Sequence, residues 1–259
     1  MAQYREHMPP SMRAHRVITN GGDQPNVIPR KASVWWFFRD GTAEGAQKLF
    51  EQAKKIAAGA AMMSNTECEV EVLSGVWPLR CNRTLAELIQ RNIELVGMPA
   101  WTEEEQKLAR ALQANAKVEV EDLKREVKPM QGEAVQRQSA NDAGDVSWKV
   151  PMAKFYYPSN VPHINSHHWA AGVVLATSIA HKGAVAGAKA FAAAVVECFA
   201  NPALIEEAKR TFKQELAGVE YKPLLPSDQK PPSDLNRTLM EKFRPAMAKH
   251  YLKETPEFI

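Results

Sequence analysis

The chain has 259 residues, 45% hydrophobic and 24% charged, which is enough apolar material for one large domain or two smaller ones. Its 33 basic and 30 acidic residues nearly balance at a formal net charge of +3, and with no long Lys/Arg block a nucleic-acid partner is not expected. Cys68, Cys81 and Cys198 form neither a disulfide scaffold nor a close metal-binding pair, which fits a reducing, cytoplasmic setting.

Residues 1–10 are polar and charged, carry no signal-peptide core, and read as the end of a helix running into a strand. Residues 13–19 read as that strand, and Asn20-Gly21-Gly22-Asp23 as a strong turn. Pro25 to Pro29 is a corner whose two prolines restrict the backbone. Residues 32–39, with Val34, Trp35, Trp36, Phe37 and Phe38, have high β-propensity. Their aromatic side chains point to alternate faces, so both faces need a cover or a partner. A 3.6-residue stripe from Ala43 to Ala60 predicts a helix over 41–65, and alternation of Glu with Cys68, Val70 and Val72 predicts a strand over 67–76. Strand, strand, helix, strand is most of a split βαβ unit, and its edge strand calls for pairing, often across a dimer axis.

Beyond Trp77-Pro78 the character changes. Asn82 opens a helix over 82–96, and Thr102-Glu103-Glu104-Glu105 is a capping box for the next, through about Ala114. Residues 116–140 are polar, charged and weakly patterned, which predicts a surface excursion or mobile loop. Asp142, Gly144 and Asp145 precede Trp148 in a loop that suits a ligand, a histidine anchor or a plain turn. Residues 152–157 predict a short core strand leading into a loop with His163, His167 and His168; His181 follows near the start of an Ala-rich helix over 176–200. Four of the seven histidines gather here, with metal binding, catalysis and helix capping all open to them. The helix is apolar on most faces, which predicts deep burial. Lys189 and Glu197 interrupt it, so no transmembrane run and no membrane partner are expected. Pro202 starts a further helix, 221–236 with four prolines is an extended connection, and 235–252 is a last helix that Pro245 should kink or split.

Taken together, Ile18-Thr19-Asn20-Gly21-Gly22-Asp23, Pro25 to Pro29, Val34 to Arg39, Gly144 to Trp148, His167-His168-Trp169 and Ser178 to Gly183 resemble the metal-dependent aminoacylase and carboxypeptidase family of amidohydrolases. The resemblance implies an α/β chain in two parts. Residues 1–78 would be an incomplete split βαβ dimerisation, or lid, domain, and 79–259 the second half of a dimetal-peptidase-like catalytic domain. It implies a homodimer that hydrolyses the amide of N-acyl or N-aroyl amino acids, aminobenzoyl-glutamate-like or indole-acetyl-aspartate-like, with two divalent ions, zinc or manganese. Asn26 would position the substrate or its oxyanion from the partner's lid, and Arg39 would bind its carboxylate. Asp145 and Ser147 would line the pocket. His167 would hold one metal, with His168 as the alternative because the family has a small hydroxylic residue after its ligand.

The His-x-Asp pair, the Glu-Glu pair and the further metal ligand of the family have no counterpart here, and Glu103-Glu104-Glu105 is no substitute. A catalytic zinc normally needs three protein ligands, so the chain alone is expected to hydrolyse nothing and to bind metal weakly or not at all. The rival reading is a non-catalytic truncated product or an assembly or binding partner without a metal site.

Overall fold

The protein is described by a computed structural model covering residues 1–130, 132, 141–216 and 218–251. A 3-10 turn, Gln3–His7, leads into strand β1, Arg13–Asn20, which pairs antiparallel with β2, Ser33–Arg39. The register sets Arg13 opposite Arg39 and Ile18 opposite Val34. Alternation therefore places Trp36 and Phe38 on one face and Trp35 and Phe37 on the other. Helix α1, Ala43–Ser64, covers the first: Phe38 meets Phe50 at 6.1 Å between ring centroids, and Trp36 stacks on Phe38 at 5.7 Å. Trp35 and Phe37 remain 47% exposed each. Thr42 caps α1 by accepting from the Gly45 N–H at 3.0 Å. A Cβ on Gly45 would sit 1.9 Å from Asp40 Oδ2, so this capping turn requires glycine.

The strand expected over 67–76 does not form, and the sheet has two strands among the described residues. Alternation assigns residues to faces, but a ladder also needs a neighbouring strand, and none of the described residues supplies one to this segment. It is held instead by isolated contacts, such as Gln229 Nε2 donating to the Val72 carbonyl at 2.6 Å.

The rest is helical: α2 (Arg83–Val96), α3 (Glu103–Ala116), α4 (Ala143–Ser147), α5 (Trp169–Val174), α6 (Ser178–Ala200), α7 (Pro202–Leu216) and α8 (Arg237–Met247). With the sheet they make an α/β chain. Helix α2 packs on α6 and α7. Buried Asn82 joins three segments. Its Oδ1 caps α2 by accepting from the Leu85 N–H, its Nδ2 donates to the Ala208 carbonyl of α7 at 3.1 Å, and its own N–H donates to the Met152 carbonyl at 2.7 Å. Glu197 ties α6 to α2 through Arg91 and Asn92.

The main core joins Ala109 and Leu112 of α3, Leu123, Val161, Ile164, Ala170, Ala171 and Val174 of α5, and Ile179 and Ala180 of α6. Most of the described part of 116–140 lies at the surface, as expected, with one inward anchor at Leu123. Leu123 is 4% exposed, because Gln106 and Gln113 of α3 fix the backbone around it. Residues 131 and 133–140 of that stretch lie outside the described residues.

Four further expectations change. Residues 152–157 form no strand, for the reason given for 67–76. Helix α6 is not deeply buried: Ile179, Gly183, Gly187, Ala190 and Ala194 face inward, whereas Phe191, Val196 and Phe199 are 56%, 65% and 84% exposed. By length and hydropathy α6 is also long and apolar enough to cross a membrane, contrary to the sequence reading, because Lys182, Lys189 and Glu197 are too few among its 23 residues to lower its mean hydropathy much. The last helix ends at Met247, two residues after Pro245, and passes into a 3-10 turn, Ala248–His250; Leu252 lies outside the described residues.

Candidate functional site

The histidine loop is built by its apolar neighbours. Val161 and Ile164 enter the core, which leaves His163 and His167 on the outer side of the loop. His163 has φ of 61°, in the left-handed region that few non-glycine residues adopt and in which histidine is enriched. Its Nε2 lies 3.0 Å from Glu121 Oε2 and 3.8 Å from Glu119 Oε2, and Gln113 Nε2 donates to the preceding Pro162 carbonyl at 3.1 Å. A hydrogen bond from Lys124, aided by His163, holds the Glu121 carboxyl below its ordinary value.

His167 is exposed, and its backbone N–H donates to Asn165 Oδ1 at 2.9 Å. His168 caps α5: its Nδ1 accepts from the Ala170 N–H at 3.2 Å. That is the capping role left open for this cluster in the sequence. His181 is exposed on the first turn of α6. Among the described residues, no three His, Cys, Asp or Glu side chains converge in an arrangement able to hold a metal ion. The donor set at this loop therefore does not fit a complete divalent-metal site.

Between the first turns of α3 and α6 lies a buried polar junction that sequence reasoning did not identify. Glu105, 5% exposed, accepts from Lys182 Nζ at 2.8 Å, Ser178 Oγ at 2.6 Å and the Thr102 N–H at 2.7 Å. Burial opposes its ionisation, but the hydrogen bonds from Lys182 and Ser178 outweigh it and hold the carboxyl at about 2. Lys182 also donates to the Ala100 carbonyl at 2.9 Å. The junction locks the start of α3 to the start of α6. Its signal in the sequence is the four-residue spacing of Ser178 and Lys182, which puts both on one helix face.

Asp145 and Ser147 occur together, but against residues 77–80 and Tyr221 rather than at the histidine loop. Asp145 Oδ1 accepts from Tyr221 Oη at 3.1 Å and from the Trp77 N–H at 3.4 Å. Ser147, 2% exposed, accepts from the Arg80 N–H at 3.0 Å and donates to the Gly144 carbonyl. Trp77 and Trp148 meet edge-on at 4.6 Å, with the Arg80 guanidinium 4.5 Å above the Trp148 ring. Burial, then the bond to Asp145, raises the Tyr221 hydroxyl above its ordinary value. The cluster fastens residues 77–80 and 221 onto α4.

Asn26 stands in the turn of the loop joining β1 and β2, fully at the surface. Arg39 closes the opposite end of β2, its guanidinium 5.7 Å over the Phe37 ring. At about 3.4 Å per residue, the strand puts them ~20 Å apart. One protomer thus does not bring them to one small ligand. Two cavities, of about 210 and 250 Å³, lie beside β1 and are lined by Arg5, Ala14 and their neighbours; the histidine loop lines neither.

No protein-family model matches the chain. It is similar to a p-aminobenzoyl-glutamate hydrolase subunit of Escherichia coli (strain K12), at 31% identity over 235 residues, covering 81% of this chain and 49% of that protein. It is also similar to the Xaa-Arg dipeptidases of Mus musculus and Homo sapiens. These are 26% and 25% identical over 82% and 85% of this chain, and over 43% and 44% of their own lengths. The chain thus spans about half the length of the relatives it matches.

Proposed function

We propose that this chain, a relative of part of the metal-dependent amidohydrolases, is an assembly and binding element of that lineage and not a hydrolase by itself. One observation carries the reading: the loop's histidines diverge, and no metal-holding cluster is found among the described residues. A catalytic zinc normally needs three protein ligands and an open position. Here His168 caps a helix and His163 pairs with Glu121, which leaves His167 as an exposed imidazole outside any three-donor cluster among the described residues.

The homology supports a second reading, in which the chain is one portion of an intact amidohydrolase acting on N-acyl or N-aroyl amino acids. In it, residues 1–78 serve as the lid through which two copies pair, and 79–259 as part of the catalytic domain. His167, with His168 as the alternative, contributes one donor to a metal site completed by other residues. Asn26 orients the substrate or its oxyanion from across the dimer, and Asp145 and Ser147 support the pocket wall. Arg39 takes a substrate carboxylate only where two protomers bring the far ends of their sheets to one site.

Incubating the purified chain with p-aminobenzoyl-glutamate and either zinc or manganese tests the two readings. The first expects no release of glutamate above buffer. Turnover by the chain alone that His167→Ala abolishes would overturn it.

A further inference from the structure

We propose that α8, with the 3-10 turn Ala248–His250 that follows it, is an amphipathic anchor by which the chain docks on an anionic lipid surface. Such docking is independent of whether the chain forms part of a larger hydrolase.

Helix α8 adds nothing to the core. None of its residues is buried, and all but Met240 are exposed. Its sequence is nonetheless patterned. Leu239, Phe243 and Met247 recur every four residues, which aligns them in one stripe, and they are 56%, 47% and 39% exposed. A stripe of this kind on a surface helix normally turns toward a core. Here residues 231–239, which lead into the helix, are exposed as well, and Pro223, Pro226, Pro231 and Pro232 stiffen the connection from α7. The stripe therefore finds no apolar cover among the described residues.

The occupant follows from charge. Residues 237–251 hold four Lys and Arg against one Glu. At about 100° per residue, Lys242 and Arg244 stand at opposite edges of the stripe around Phe243. Arg237 has Asp234 at 4.0 Å, but Lys242, Arg244 and Lys249 have no ion-pair partner among the described residues. Lys242 Nζ lies 5.7 Å from the centroid of the Phe243 ring, so its charge sits at the border of the apolar stripe. Cations along both edges suit a layer of anionic headgroups. Their long side chains reach the phosphates while the stripe enters the acyl boundary.

Geometry favours a flat surface. Pro245 has no N–H to offer the Glu241 carbonyl, and the helical period sets both residues opposite the stripe. On a planar layer that side stays in water, where the unpaired carbonyl is solvated. The 11 residues of α8 extend ~16 Å, about half of a hydrocarbon core, so the helix lies along the surface and not across it. The expectation of no membrane partner followed from the lack of a spanning run, which an interfacial helix does not need.

The test is co-sedimentation of the 259-residue chain with vesicles of phosphatidylcholine alone and of an equimolar mixture with phosphatidylglycerol. We expect binding to the mixed vesicles, at least about 10-fold weaker binding to phosphatidylcholine alone, and release at high salt. These readings use the unaltered chain. Lys242→Gln with Lys249→Gln should weaken binding roughly 30-fold, whereas Lys242→Arg with Lys249→Arg should preserve it. Leu239→Asp with Phe243→Asp should abolish it. Because α8 buries no residue, thermal unfolding should be unchanged in every variant. No binding, or equal binding to both vesicles, overturns the proposal. So does binding that survives Leu239→Asp with Phe243→Asp, which would assign the lipid contact to another element. Binding to polyglutamate as tight as to the mixed vesicles also overturns it, in favour of an acidic polypeptide. A lipid-free oligomer that Phe243→Asp dissociates does so too, in favour of a second copy.

Discussion

Glu105 Oε2 and Lys182 Nζ stand 2.8 Å apart, and this pair joins the capping box of α3 to the first turn of α6. The carboxyl is almost fully buried while the ammonium reaches water, so the glutamate is the vulnerable partner. Glu105→Ala removes the reciprocal cap and leaves Lys182 and Ser178 without their acceptor. The expected loss is about 3 kcal/mol, read from chemical denaturation.

The same carboxyl predicts an acid response. Its folded value of about 2 lies below the ordinary 4.5, so its contribution is complete above pH 4.5 and is lost as pH falls toward 2. Linkage sets this contribution at about 3 kcal/mol. Glu105→Gln should flatten that part of the stability–pH curve. An unchanged slope between pH 4.5 and 2 would show that the pair contributes no net stability.

Gln106 and Gln113, about two helical turns apart on α3, each bond both backbone groups of one residue in the 121–123 segment. Gln106 takes Leu123, and Gln113 takes Glu121. Gln113→Leu leaves those groups and the Pro162 carbonyl without a side-chain partner, at an expected cost of about 2–3 kcal/mol. Amide exchange at Glu121 should accelerate in the same variant. Retained protection there would mean that the core alone holds the segment.

His168 tests capping against ligation. If it serves as the cap of α5, His168→Asn retains stability and His168→Ala loses about 1 kcal/mol, with no change in metal content for either. A loss of bound metal on His168→Asn would move the ligand assignment to this residue.

Much of this is legible in the sequence because it is local. The capping signals of α2 and α3, the aromatic strand β2 and the proline that opens α7 depend on neighbours within a few residues, and each element forms where expected. Residues 67–76 and 152–157 carry strand-like patterns without forming strands, because a strand is defined by a partner elsewhere in space. The burial of Leu123 depends on two glutamines in an adjoining helix, polar residues that carry no hydrophobic signal. At the candidate site, the sequence shows that histidines cluster along the chain. It does not show that His163 turns toward Glu121 and His168 toward the α5 backbone, since those directions follow from the fold.

A chain that does not by itself assemble a metal-dependent hydrolytic site should hold no stoichiometric divalent ion. The most direct measurement is the divalent-metal content of the purified 259-residue chain after extensive dialysis, by elemental analysis. The expected content is far less than one ion per chain, with His167→Ala leaving it unchanged. One or two tightly held zinc or manganese ions per chain, lost on His167→Ala, would contradict it.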